Sequence, residues 1–244
     1  MSDQEKIDTV LELKKARQRV AMPMLWIAQV SILMLFAGLT SAYIVTKADN
    51  FWVDFDLPEM FYYSTALILI SSIPMGWALK STKENDYKNV KIGLICTMIL
   101  GVGFVVCQYK GWGQLVQSGN FVVGNIDALK GEYGADYTIK HNGSDLLYNE
   151  GVFYMSSDTE FKEPIDDSMF QSFNSASSFL YVLSGLHLAH MLGGIIALLV
   201  TMLGAIRQKY NSENNTGLKI CVTYWHFLGA LWLYLFLFLF YINQ

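Results

Sequence analysis

Two histidines three residues apart in an apolar run are the first side chains in this sequence that could do chemistry. Ser184–Gly194 reads SGLHLAHMLGG, and on a helix His187 and His190 would share one face. Neutral imidazole ligates haem iron and other metals, and it is also the side chain that moves protons near neutral pH. A third histidine, His226, lies early in the last apolar run. At about 1.5 Å rise per residue, its depth differs from that of His190 by only about 5 Å. One reading is therefore bis-histidine haem ligation between these two segments, with the glycines beside the histidines giving the ring room. The other is that neutral imidazoles hydrogen-bond across helices or to lipid and fix the packing. Spacing alone favours the second.

Little else in the chain accompanies them. His141 falls in a polar loop, and the three cysteines (Cys96, Cys107 and Cys221) lie in apolar runs without C-x-x-C or similar spacing, as small buried side chains do. There is no P-loop, zinc-protease helix or nucleophile elbow. From Ser168 to Ile206 there is no Asp, Glu, Lys or Arg. A small transporter is the remaining alternative class, and it is disfavoured because ion or proton coupling draws on intramembrane charge.

The elements that must position these residues follow from composition. The 244 residues are 53% hydrophobic and only 16% charged, where globular chains carry about 25%. Five runs reach the roughly 20 apolar residues that a bilayer demands: Val20–Val45, Leu57–Leu79, Val90–Leu115, Ser175–Ile206 and Gly217–Ile242. The expected fold is all-α, a polytopic membrane protein with a five-transmembrane-helix bundle and one large extracytoplasmic loop. Its parts are an N-terminal tail (1–19), helices one to three (20–118), the loop (119–172) and helices four and five (173–244). No secretory signal peptide is read. The tail, with Ile7, Val10 and Leu11 against Lys14, Lys15, Arg17 and Arg19, could lie on the membrane as an amphipathic helix or simply be solvated. With the N-terminus inside, 12 Lys and Arg fall on the inner side and 5 on the outer. The positive-inside bias thus places the tail in the cytoplasm and the C-terminus and loop outside. Acidic residues split 7 to 14 the other way, so the net charge of −4 hides a strong polarity.

Packing signals are also legible. Gly185, Ala189, Gly193 and Ala197 recur every four residues and predict a close helix approach; Gly38 with Ala42, and Gly93 with Gly101 and Gly103, add others. Pro23 and Pro58 are expected at helix starts, and Pro74 inside the second span, where Ser71 or Ser72 could relieve the disturbed backbone around Ile70. The loop is expected to form a small hairpin from Tyr137–Ile139 and Val152–Met155, or to be ordered by a partner. It carries ten acidic residues and three lysines, which read either as a solvated surface or as a face for a basic partner.

At this point the residues resemble a known family, subunit III of the cytochrome c oxidases in the haem–copper superfamily. The family pattern in the fourth span is an aromatic residue, then T-G-x-H-x-x-H, then a glycine. Here it is Phe179, then Ser184, Gly185, His187, His190 and Gly194, with serine for threonine. The family's Y-W-H-F and following Trp correspond to Tyr224, Trp225, His226, Phe227 and Trp232. Phe36-Ala37-Gly38-Leu39 with Ala42-Tyr43, and Leu57-Pro58 with Ser71-Ser72, extend the likeness to four of the five spans.

The resemblance implies a non-catalytic subunit of a terminal oxidase, packed beside subunit I and binding phospholipid, in a bacterial inner membrane. It implies haem and copper in subunits I and II and none in this chain. It also implies a small additional subunit as a neighbour and no nucleic acid. A cytochrome c domain or another respiratory complex is an expected visitor at loop 119–172. No catalytic residue is expected. His187, His190, His226, Trp225, Trp232, Gly185, Ala189, Gly193 and Gly194 are candidates for interhelical, packing or lipid contacts. Departures stand beside the likeness. Larger members have seven helices, of which these five look like the last five. The glutamate often found in the helix matched by the first span is absent at Ser31-Ile32, and Gly229 replaces the aspartate of W-H-F-x-D.

Overall fold

All five apolar runs are helical, and each is long and apolar enough to cross a membrane. The computed structural model describes residues 3–49, 51–141, 143–149, 152–158, 160–165, 172–212 and 214–242, with backbone only at 3–11, 13–15, 17 and 49. The helices are α1 (Asp3–Asp49), α2 (Glu59–Lys83), α3 (Tyr87–Gln117), α4 (Ser175–Ile206) and α5 (Thr216–Ile242). The expected all-α, five-helix membrane class is borne out.

The N-terminal tail is not a separate element. Its backbone runs without a break into the first span, giving a 47-residue helix about 70 Å long. The reason is local: residues 3–22 are mostly Glu, Lys, Gln, Leu, Arg and Ala, strong helix formers that carry the helix back from the span. Pro23 therefore lies inside α1 rather than at a start, and only costs the bond its missing N–H would have given to Arg19. Most of the tail's side chains lie outside the described residues, and its amphipathic reading with them. Pro58 does sit just before α2, its carbonyl accepting the Phe61 N–H at 2.9 Å.

Short strands were mostly hidden in the sequence. β1 (Trp52–Phe55) lies between α1 and α2, and the loop holds β2 (Tyr137–His141), β3 (Ser144–Asp145), β4 (Leu147–Asn149) and β5 (Val152–Tyr154). The two stretches expected to pair with each other do not. β2 pairs antiparallel with β1, matching Trp52 to Lys140 and Phe55 to Tyr137, while β5 pairs with β4. Apolar burial decides it, since Trp52, Val53 and Ile139 are all buried.

Contacts group the chain into two units, each built from halves of all five helices. The first comprises Met1–Leu35, Ile68–Val102 and His190–Leu231; the second comprises Phe36–Leu67, Gly103–Ala189 and Trp232–Gln244. In the first unit, α2 passes to α3 through Asn85, with φ +57°, and Asp86, whose carboxylate accepts the Lys88 and Asn89 N–H groups at 3.1 Å as an N-cap. In the second, Asp54 of β1 is buried and receives Lys47 from the end of α1 and Lys140 from β2, both at 2.7 Å. Lys47 also donates to the Ile242 carbonyl at the end of α5. One carboxylate thus holds a sheet strand, the loop and two helix ends together.

On α4 the buried positions include Leu180, Leu183, Ser184, His187, Met191, Leu198, Thr201 and Ala205. This stripe is not the glycine–alanine row foreseen for close packing. Ala189 and Gly193 are exposed, and a Cβ on Gly185 or Gly193 would meet nothing nearer than 3.9 Å. The helix instead buries its larger apolar face, which removes more surface from contact with its surroundings. Gly38 likewise has open space around it, so the predicted approach at Gly38 and Ala42 is not used within this chain.

Candidate functional site

The candidate residues fall into two clusters, one in each unit, and both are organised by a tryptophan of α5. In the second unit, Trp232 is buried and its indole N–H donates to Thr65 Oγ1 on α2 at 2.9 Å. Thr65 in turn donates to the Phe61 carbonyl one turn earlier, so a helix interior supplies the acceptor. Phe61 and Phe104 meet the Trp232 ring edge-on at 5.8 and 5.3 Å. His187 completes the cluster. It is fully buried, with its ring centroid 5.0 Å from Trp232 and 5.8 Å from Phe104. Its place on α4 follows from the buried stripe, and its surroundings on these two sides are aromatic.

One turn before His187, Ser184 accepts the Trp112 indole N–H at 3.0 Å and donates to the Leu180 carbonyl. Tyr181 donates to the carbonyls of Asn120 and Trp112, and the Asn174 amide donates to Asn120 Oδ1 at 2.9 Å. Gln108, also buried, donates to Ser64 Oγ at 2.9 Å. These pairs tie α3 to α4 and to α2 in a setting where an unpaired polar group is costly.

In the first unit, Trp225 repeats the device. It is buried, and its N–H donates to Ser71 Oγ on α2 at 2.9 Å. Ser71 donates to the Ile68 carbonyl rather than relieving Ile70 beside Pro74. Glycines let this ring in. A Cβ on Gly101 would stand 2.6 Å from Trp225, and one on Gly194 would stand 2.7 Å from Leu228. Tyr224 donates to the His190 carbonyl at 3.3 Å. His190 is half-buried and His226 exposed.

This geometry does not fit a haem between His190 and His226. Gly194, the glycine expected to give the macrocycle room, is instead filled by α5, with Leu228 2.7 Å from where its Cβ would stand and Tyr224 on the His190 backbone. Among the described residues, no group of three or more His, Cys, Asp or Glu is placed to hold a metal. The arrangement can pack, fix helix register and satisfy buried N–H groups.

Sequence reasoning found His187, His190, Trp225, His226, Trp232 and Gly194 but missed their partners. Phe104, Thr65 and Trp112 were not singled out, whereas Gly101 was foreseen as a close-approach point and has the Trp225 ring against it; a Ser or Thr facing a Trp across antiparallel helices is the signal that could have found Thr65. It also missed the Asp54 centre. There Lys140 is held above the usual lysine range, chiefly by its hydrogen bond to Asp54. A separate cavity of about 430 Å³ lies in the second unit, lined by residues including Asp56, Pro58, Gln114, Lys130 and Tyr137, and none of the histidines reaches it.

Residues 151–244, which carry α4 and α5, match the family model described as Cytochrome c oxidase subunit III. The curated proteins add a wider likeness. Cytochrome c oxidase subunit 3 of Myxine glutinosa is 23% identical over 183 residues, 75% of this chain and 49% of that protein. The subunit 3 of Equus caballus is 24% identical over 173 residues, 71% of this chain and 46% of that protein. A probable cytochrome c oxidase subunit 3 of Rickettsia felis is 24% identical over 188 residues, 76% of this chain and 48% of that protein. The chain spans about half the length of the curated relatives it matches. The family match covers the segment that holds both tryptophan anchors and all three membrane histidines, and over that segment the chain is similar to cytochrome c oxidase subunit III.

Proposed function

We propose that this chain serves as the non-catalytic subunit III of a proton-pumping haem–copper terminal oxidase in a bacterial cytoplasmic membrane. Its work there is to stabilise subunit I, hold phospholipid and support oxygen and proton supply, while subunits I and II carry haem and copper. The observation that supports this reading is the state of the signature histidine. His187 is buried with Trp232 and Phe104 against its ring, and among the described residues no group of three or more His, Cys, Asp or Glu is placed to hold a metal, which supports a scaffolding role for this motif. The charge asymmetry supports a cytoplasmic N-terminus with loop 119–172 and the C-terminus outside. A small additional subunit and a cytochrome c domain or second respiratory complex complete the expected partners.

The test is purification of the native assembly from its membrane in mild detergent through a tag on this chain. A haem–copper catalytic subunit is expected to come down with it, in roughly equal amount, with the spectrum of that subunit's haems. If no haem–copper subunit co-purifies while the tagged chain remains intact, the reading fails.

A further inference from the structure

Four large apolar side chains stand exposed where the extramembrane segment meets α3 and α4: Phe121, Val122, Val123 (75% exposed) and Phe173 (64%). Single exposed apolar residues are ordinary, but a cluster drawn from two chain segments is not. The backbone under it is tied down. Ser177 and Ser178 of α4 donate their hydroxyls to the carbonyls of Phe121 and Val122 at 2.7 and 2.8 Å. The Asn174 N–H reaches the Gly124 carbonyl at 2.8 Å, and the Ile126 N–H reaches Ser172 at 3.1 Å. The carbonyls of Phe121, Val122 and Gly124 thus turn to the protein, which is what an apolar medium asks of a backbone group.

Charge points the same way. Between Lys110 and Asp127 there is no Asp, Glu, Lys or Arg, although the loop that follows is strongly acidic. The depth is fixed within this unit. Gln114 of α3 stands beside the Met60 N–H at the first turn of α2, at 3.4 Å, which marks where the apolar part of α2 begins. Phe121 follows the last residue of α3, Gln117, by four positions, and Phe173 precedes the first residue of α4 by two. Both thus lie just past the ends of spanning helices, the level at which a headgroup layer about 5–7 Å thick on each side of the hydrocarbon is expected.

We infer that Phe121, Val122, Val123 and Phe173 form an apolar hook that lies in the lipid headgroup layer on the loop side and fixes the depth of α3 and α4. Its occupant is lipid, because the patch continues two spanning helices at their level and is free of charge. The inference needs only that the helices span a membrane, and it stands apart from the oxidase reading.

A spin label on Val123→Cys tests it, in the full-length chain with whatever subunits co-purify, in nanodiscs of phosphatidylcholine and phosphatidylglycerol, with Cys96, Cys107 and Cys221 replaced by serine. The ratio of collisions with lipid-soluble oxygen to collisions with a water-soluble nickel chelate is expected to be several-fold higher than for the same label on Asn149→Cys, an exposed site on β4. Equal ratios would mean the patch faces water and would overturn the inference. A label that is immobile and shielded from both reagents would overturn it too, since protein would then cover the patch. Val122→Cys supplies a second reporter should the first variant fail to assemble.

Discussion

His187 has catalytic potential by residue type, and the proposed function gives it a place in a scaffold. An imidazole flanked by Trp232 and Phe104 contributes its ring area and shape, and a phenyl ring of similar size can fill the same volume. His187→Phe is therefore expected to leave the purified assembly's visible spectrum and oxygen consumption close to those of the parent. His187→Ala should instead open a cavity and lower stability by about 2–4 kcal/mol, measured as thermal inactivation in detergent. Loss of a haem band in the phenylalanine variant, with the assembly intact, would make His187 a ligand and defeat the scaffold reading. Trp225 and Trp232 belong to the same class of residue. Each gives its N–H to a hydroxyl whose own proton is already directed to a helix carbonyl, so both partners are satisfied.

At the scale of elements, the tight seams and the open ones can be told apart by what an added methyl would strike. Gly101 has the Trp225 ring 2.6 Å from its Cβ position, whereas Gly193 has nothing nearer than 3.9 Å. Gly101→Ala is expected to cost about 1–3 kcal/mol by overpacking, and Gly193→Ala close to nothing in the isolated chain. Chemical denaturation of the detergent-purified chain checks this, and equal costs at both sites would show that α3 and α5 can separate without penalty. The spans were legible because twenty apolar residues in a row have few other uses; three of the five start or end within three residues of the observed helices, and the fourth coincides with its helix. The strands were not. β1 has four residues, and its partner β2 lies some eighty positions away, so no local pattern announces the pair. The Asp54 centre was hidden for the same reason, since its two lysines come from a helix end and from the far loop. In α4 the glycine–alanine row was visible, but spacing says which residues share a face and not which face the chain itself uses. The site's histidines and tryptophans were readable as a motif, while their hydroxyl partners on α2 required the pairing of α2 with α5 to be known.

At the scale of the whole chain, charge is the property that reaches furthest. The loop between α3 and α4 carries ten acidic residues, and placing it on the donor side gives the proposed assembly an electrostatic face for a basic cytochrome domain. The geometry says which of those acids are free for that task. Asp145 engages Lys140, which also binds Asp54 of β1, and the carboxylates of Asp136 and Asp158 accept backbone N–H groups in their own turns, so deleting this stretch would disturb the fold along with the charge. Asp127, Glu132 and Glu163 are exposed and hold no such place. The combined variant Asp127→Asn, Glu132→Gln and Glu163→Gln is therefore expected to keep the fold while weakening donor association. In steady-state oxidation of a basic cytochrome c, KM should rise several-fold at low ionic strength with kcat unchanged. The difference should vanish as salt shortens the screening length to about 3 Å near 1 M. An unchanged KM at low salt would leave the loop as solvated surface, held in place by the Asp54 centre for reasons of stability alone.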